Sequence, residues 1–284
     1  MIARFLGVAL LAGAPAAALE PWPVGPDIPW ERDFGAATKK ARSAGKPLLV
    51  DFWAAWCGYC AKLDATTYRD AKIIKLAGEF VPVKVNAEGA HHERQVALKY
   101  GVASLPTIAV VSPSGRPIAV MQGFQGPGQF AASLEKARET SAKVLAWEAA
   151  IEADRDDAAA LLGLGIHLLD NEEYDGAKEL LARARATDSD RPVADRKQAR
   201  LLLGTLEYYD NKYGKAEQIL KEGLNLRPQT EFDPKMMYVL AKAYIKAGRK
   251  PEARGVLQAV LGDYASSPIA QKAKETLVAL DSQR

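Results

Sequence analysis

The sequence predicts an α/β domain in its first half and an all-α domain of repeated helix pairs in its second. Three observations carry that reading. Between residues 30 and 140, short apolar runs of strand length alternate with helical stretches. After Gly126-Pro127-Gly128 no further strand pattern occurs. From Leu164 onward, small residues recur in pairs at a fixed offset, as they do when helix pairs stack.

The chain opens on Arg4, an apolar run over 5–14, the breaker Pro15, and Ala16-Ala17-Ala18. That is the layout of a cleavable export signal over residues 1–18, too short to span a bilayer, and it predicts a periplasmic or otherwise exported protein. Residues 19–29, with Pro21, Pro23, Pro26 and Pro29, read as an extended lead-in.

Within the first domain, 30–140, residues 30–44 have helical character and stop at Gly45. Leu48-Leu49-Val50-Asp51-Phe52 follows Pro47 as a buried strand, and 57–63 opens a helix. Strands are expected at 80–85, 107–111 and 117–121, the last two joined by the turn Ser112-Pro113-Ser114-Gly115 and hence antiparallel. A helix over 93–100 ends at Gly101.

The second domain, 141–284, shows three units. Leu164-Gly165, Leu203-Gly204 and Leu240-Ala241 mark the first helices, at spacings of 39 and 37 residues. Twelve residues after each small residue stand Ala177, Ala216 and Ala253, and four further on Leu181, Leu220 and Leu257. Ala184 and Gly223 take the next small position, where the third unit has Val260, and residues 269–280 would cap the stack. Glu173-Tyr174-Asp175-Gly176 and Lys212-Tyr213-Gly214-Lys215 read as the turns inside the first two units. Neither Gly nor Pro occurs from 129 to 162, so the domains are expected to join through continuous or abutting helices, with 154–157 as the natural break. The pattern resembles the tetratricopeptide repeat, with longer inter-repeat loops.

The chain has 2 cysteines, Cys57 and Cys60, in Trp56-Cys57-Gly58-Tyr59-Cys60. A disulfide framework needs more pairs and a structural zinc site more ligands, so this lone pair points to thiol–disulfide exchange. No metal or cofactor is expected. His91 and His92 read as solvated loop residues, His167 as structural and Trp53 as core. A net charge of +3, with both signs interleaved, leaves no nucleic-acid footprint.

The segment from Val50 to Cys60, the strand ending Lys84-Val85-Asn86, and Leu105-Pro106-Thr107 together resemble the thioredoxin family over most of residues 30–140. The lead-in to Pro47 and Thr67-Tyr68-Arg69-Asp70 look most like the branch that includes the C-terminal domain of DsbD. The resemblance implies roles. Cys57, at a helix N-terminus, is the nucleophile, and Cys60 is the more buried resolving thiol. Asp51 is a buried proton acceptor and Lys84 its partner. Pro106 is a cis-proline that leaves the Leu105 backbone free for a substrate strand. Trp56, Gly58 and Tyr59 complete the docking rim. In one state Cys57–Cys60 is a disulfide.

This context favours an exported reductase of protein disulfides, supplied by a thiol–disulfide electron donor, of which a membrane-bound one is a candidate. The repeat groove would hold a protein ligand and select partners. Two other readings stand beside it. Cytoplasmic proteins with this domain pairing act partly as chaperones, which suggests an adaptor or holdase with the first domain as a platform. Gly58-Tyr59 is also the pair found in the isomerase DsbC, which keeps a disulfide oxidase or isomerase in view.

Overall fold

The structure is a computed structural model that describes residues 28–282; the expected export signal and the lead-in up to residue 27 lie outside it. Helix α1 (Phe34–Ala44) leads into β1 (Leu48–Trp53) and α2 (Gly58–Ala65). A 3-10 turn over Thr67–Arg69, α3 (Ala71–Ala77), β2 (Val81–Asn86) and α4 (His91–Lys99) follow. Then come β3 (Thr107–Val111) and β4 (Pro117–Gln122). The first helix starts later than its sequence suggests. Asp33 caps it through a bond from the Ala36 amide, while Glu31 pairs with Val83 as a β-bridge. The 3-10 turn and α3 were not expected, because seven residues are too few to show a helical period.

Among the described residues the strands form one sheet in the order β2-β1-β3-β4, with β1–β2 parallel and the other pairs antiparallel. Side chains alternate between its faces. Leu48, Val50 and Phe52 pack with Val83, Val85, Ala37 and Ala97 on one side, under α1 and α4. Leu49, Ile108 and Val110 pack with Leu63, Tyr68, Ile73 and Phe130 on the other. Burial on both faces is why β1 and β3 are apolar throughout except for Asp51 and Thr107.

Helix α5 (Pro127–Ala153) is unbroken for 27 residues, about 40 Å at 1.5 Å per residue, and residue 140 falls inside it. After a short break come the pairs α6 (Ala158–Asp170) with α7 (Tyr174–Ala186), α8 (Val193–Tyr209) with α9 (Tyr213–Asn225), and α10 (Asp233–Lys246) with α11 (Lys250–Asp263). Helix α12 (Pro268–Asp281) packs on α11. The small residues allow the close approach: a Cβ on Gly204 would meet Leu220 Cγ at 2.7 Å. The intra-pair turns sit a little earlier than the sequence suggested. Tyr174–Gly176 and Tyr213–Lys215 already belong to α7 and α9, and the chain reverses at Glu172 and Asn211, both left-handed at φ 61°.

The two halves share one core, in which α5 and α6 join the α3 side of the sheet. The β3–β4 hairpin is tied to α5 by Ser112 and Ser114, whose hydroxyls donate to Glu148 Oε1 at 3.0 and 2.6 Å. Arg116 lies 3.3 Å from the same oxygen. His167 Nε2 lies 3.2 Å from the Pro117 carbonyl and 3.3 Å from Asn171 Nδ2, so the ring bridges α6 to the start of β4.

Candidate functional site

Cys57 and Cys60 lie where β1 hands over to α2. Ala54 accepts a bond from the Cys57 amide at 3.0 Å, a turn that brings Cys57 to the N-cap of α2. Its Sγ accepts from the Cys60 amide at 3.1 Å, and the two sulfurs form a disulfide, so the site is in its oxidised state. The Cys60 amide directed at Sγ, at the N-terminus of α2, favours negative charge there once the disulfide opens. Cys57 and Cys60 are 3% and 2% exposed, so in this state neither is distinctly the more buried. Trp56 and Tyr59 project into solvent at 68% and 62% exposure.

Strand register brings the rest of the site together. Phe52 pairs with Thr107, which places the preceding Leu105–Pro106 bond, a cis peptide, at the strand ends beside the cysteine turn. Gly123, just after β4, donates from its amide to the Pro106 carbonyl at 2.8 Å, with φ +77° that suits glycine. Asp51 and Lys84 are register partners on β1 and β2, and both point to the α2 side of the sheet.

Lys84 Nζ donates to Asp51 Oδ2 at 2.7 Å and, equally, to Asp64 Oδ1 at 2.7 Å. All three residues are buried. Asp64 stands four residues after Cys60 on α2 and therefore on the same helical face. The Trp30 and Tyr68 rings each lie 5.1 Å from the ammonium. Burial alone pushes Lys84 down, but the charges of Asp51 and Asp64 and their bonds outweigh it and hold the ammonium above its usual range. Burial, then the same two charges, pushes the Tyr68 hydroxyl well above its usual value. One ammonium between two carboxylates leaves the cluster a net negative neighbour of the cysteines.

Asp64 was missed from sequence, and so was Trp30 as part of this cluster. A signal existed for Asp64: it is a charge on the face that buries Cys60 and Leu63. His91 and His92 are exposed at the start of α4, and His167 serves the contact with Pro117.

A cysteine pair capping a helix beside a proline turn, above a buried acid–lysine cluster, is a thiol–disulfide exchange site. A thioredoxin-like domain model matches residues 34–138, and tetratricopeptide-repeat models match 144–192 and 208–277. The chain is 31% identical over 96 residues to the thioredoxin of Alicyclobacillus acidocaldarius subsp. acidocaldarius, covering 34% of this chain and 86% of that protein. It is also 31% identical over 97 residues to the thiol:disulfide interchange protein DsbD of Salmonella typhi, covering 33% of this chain and 17% of DsbD. Among solved structures, the oxidised C-terminal domain of DsbD from Neisseria meningitidis matches at 22% identity and a TM-score of 0.33, covering 38% of this chain and 98% of that one. The chain belongs to the thioredoxin family, within its thiol–disulfide oxidoreductases, and carries tetratricopeptide repeats after that domain.

Proposed function

We propose that this is an exported reductase of protein disulfides. The observation that carries the direction is the cluster of Asp51, Asp64 and Lys84. A disulfide becomes oxidising when its reduced form is stabilised, chiefly as a thiolate. Net negative charge along the helix face behind the cysteines works against that thiolate and so favours giving electrons away. The resemblance to DsbD supports the same direction, and the signal-like layout of residues 1–18 supports a site of action outside the cytoplasm.

In the forward reaction, the Cys57 thiolate attacks one sulfur of a partner disulfide. The partner's S–S bond breaks, a Cys57–partner disulfide forms, and the other partner sulfur leaves as a thiolate and takes a proton. Cys60 loses its proton to Asp51 and attacks Cys57 Sγ. That step closes Cys57–Cys60 and releases the second partner thiolate. Two electrons have moved to the partner, and an external dithiol restores the pair. Asp51 suits the proton step because it is buried and held by Lys84, so the proton need not cross bulk water. The Leu105 backbone and the rim of Trp56, Gly58 and Tyr59 receive the partner strand, while the repeats hold a protein ligand.

The test is Cys60→Ser, which halts the sequence after the first attack. In the native compartment it is expected to accumulate mixed disulfides through Cys57, with partners recovered by mass spectrometry. A stable, exported variant that traps nothing, alongside a wild type that does not reduce insulin, overturns the reading.

A further inference from the structure

The surface around Cys57 is electrically lopsided. On the β2 side, the Trp56 indole donates to Glu88 Oε2 at 2.8 Å, in the loop between β2 and α4. Glu93 in the same segment bonds the Asn86 and Ala90 amides, and Arg94 donates to the Gly89 carbonyl. The flank therefore holds two carboxylates against one guanidinium, besides His91 and His92. On the β4 side, Phe124 stacks on Tyr59 with ring centroids 6.2 Å apart, and Lys62 Nζ lies 4.5 Å over the Phe124 ring. Arg69, also exposed, donates to the Asp64 carbonyl, two residues after Lys62.

Phe124 is held rather than loose. Its loop is pinned by the Gly123 amide on Pro106, by the Thr67 hydroxyl on the Gln125 carbonyl at 2.8 Å, and by Ser133 on Gln125 Oε1 at 3.0 Å. Because β2 and β4 are opposite edges of the sheet, Glu88 and Lys62 stand on opposite sides of the cysteines.

Resting on the reductase reading above, we propose that this face selects extended partner segments by charge order: a basic residue on one side of the target cysteine, over Trp56 and Glu88, and an acidic residue on the other, over Phe124 and Lys62. Pairing with the Leu105 backbone fixes the direction of the segment, so a given charge order reaches matched or mismatched flanks. Side chains two residues either side of the cysteine share its face of the strand and can reach both.

The test uses two peptides of the same composition, each with one cysteine joined by a disulfide to a chromogenic thiol. One has Arg two residues before the cysteine and Glu two after; the other has the reverse order. Reduced protein is mixed with each in single turnover. Cys57 attacks the peptide sulfur, the peptide–reporter bond breaks, and the reporter leaves as its thiolate; Cys60 then displaces the peptide thiol. At low salt one order is expected to react about threefold to tenfold faster, the scale of two exposed charge pairs, and the gap should close in high salt. Lys62→Glu, which leaves the Trp56–Glu88 bond intact, should flatten the preference, and Lys62→Glu with Glu88→Lys should reverse it. Equal rates for both peptides in the wild type, or a preference unmoved by Lys62→Glu, overturn the charge-order reading alone. No release from either peptide overturns it together with the reductase assignment.

Discussion

Asp64→Asn isolates the influence of the buried cluster on the nucleophile. The substitution keeps the side chain's shape and leaves Lys84 paired with Asp51 at 2.7 Å. It removes one of the two negative charges on the ammonium. Asp64 lies seven residues after Cys57 along α2, a rise of about 10 Å. At that separation and an effective dielectric constant of ~20, a unit charge acts on a thiolate with about 1.7 kcal/mol. That corresponds to about one pKa unit at 1.36 kcal/mol each. Removing a repelling charge favours the thiolate, so the Cys57 pKa should fall by about one unit. The assay is the pH dependence of Cys57 alkylation by iodoacetamide, in a Cys60→Ser background so that one thiol reports. Asp64→Glu keeps the charge and should stay near the parent value. A Cys57 pKa that is unchanged or higher in Asp64→Asn refutes the argument that the cluster opposes the thiolate.

Two further tests concern the repeat domain. Burial alone raises Glu217, but bonds from Lys221, Arg249 and Tyr244 outweigh it and bring its pKa to about 2. A folded value below the unfolded one, about 4.3, means that the network stabilises the fold above that pH and that the contribution is lost as pH falls toward 2. Glu217→Gln should therefore lower Tm near neutral pH by the equivalent of about 1 kcal/mol, after discounting for solvent screening, with the penalty vanishing in acid; a penalty independent of pH contradicts the assignment. For packing, Gly204→Ala forces a Cβ to within 2.7 Å of Leu220 and should cost about 1–3 kcal/mol. Gly255→Ala, in the interior of α11 with nothing within 4 Å, should stabilise by about 0.5–1 kcal/mol. Thermal melts of the two variants moving in the same direction would show that the glycines are not there for the reasons given.

Much of the fold was legible because the residues that define it are apolar and periodic. The runs at 48–52 and 107–111 are buried on both faces, so composition alone marks them as strands. The repeats announce themselves through Gly165, Gly204 and Ala241, where size and not hydrophobicity is the constraint. Buried charge was barely legible. For Asp64 the one sign in the sequence is its place on the helix face of Cys60 and Leu63, and its partner Lys84 meets it only once the sheet is assembled. Lys197, fully buried in α8 and bonded to Asp233 at 2.6 Å, and Arg200, bonded to Asp188, likewise meet their partners only in the fold. A charged residue on a helix defaults to solvent in sequence reasoning, and the partner that overturns this lies 36 residues away for Lys197. Glu88 and Phe124 escaped for a related reason: nothing local ties either to the cysteines, and strand order alone brings them to the same rim.

The placement of the repeats constrains how they could serve the cysteines. Cys57 sits at the Thr107–Gln122 end of the sheet, whereas the repeats are fastened at the Val111–Pro117 end, through Glu148 on the hairpin and His167 on Pro117. Helix α5 starts at the cysteine end and carries the chain about 40 Å before the first pair begins. A peptide held by the first repeat pair reaches Cys57 only if it is long enough to pass from that end of the sheet to the other. A folded partner, or a long tail, can do so, and the gain is then an effective concentration set by how well its length matches that span. With an unbroken α5 and the hairpin contacts setting the separation, a tethered partner of the wrong length gains nothing from the repeats. Length would then sort partners at one end of the molecule, while the charges flanking Cys57 sort sequence at the other.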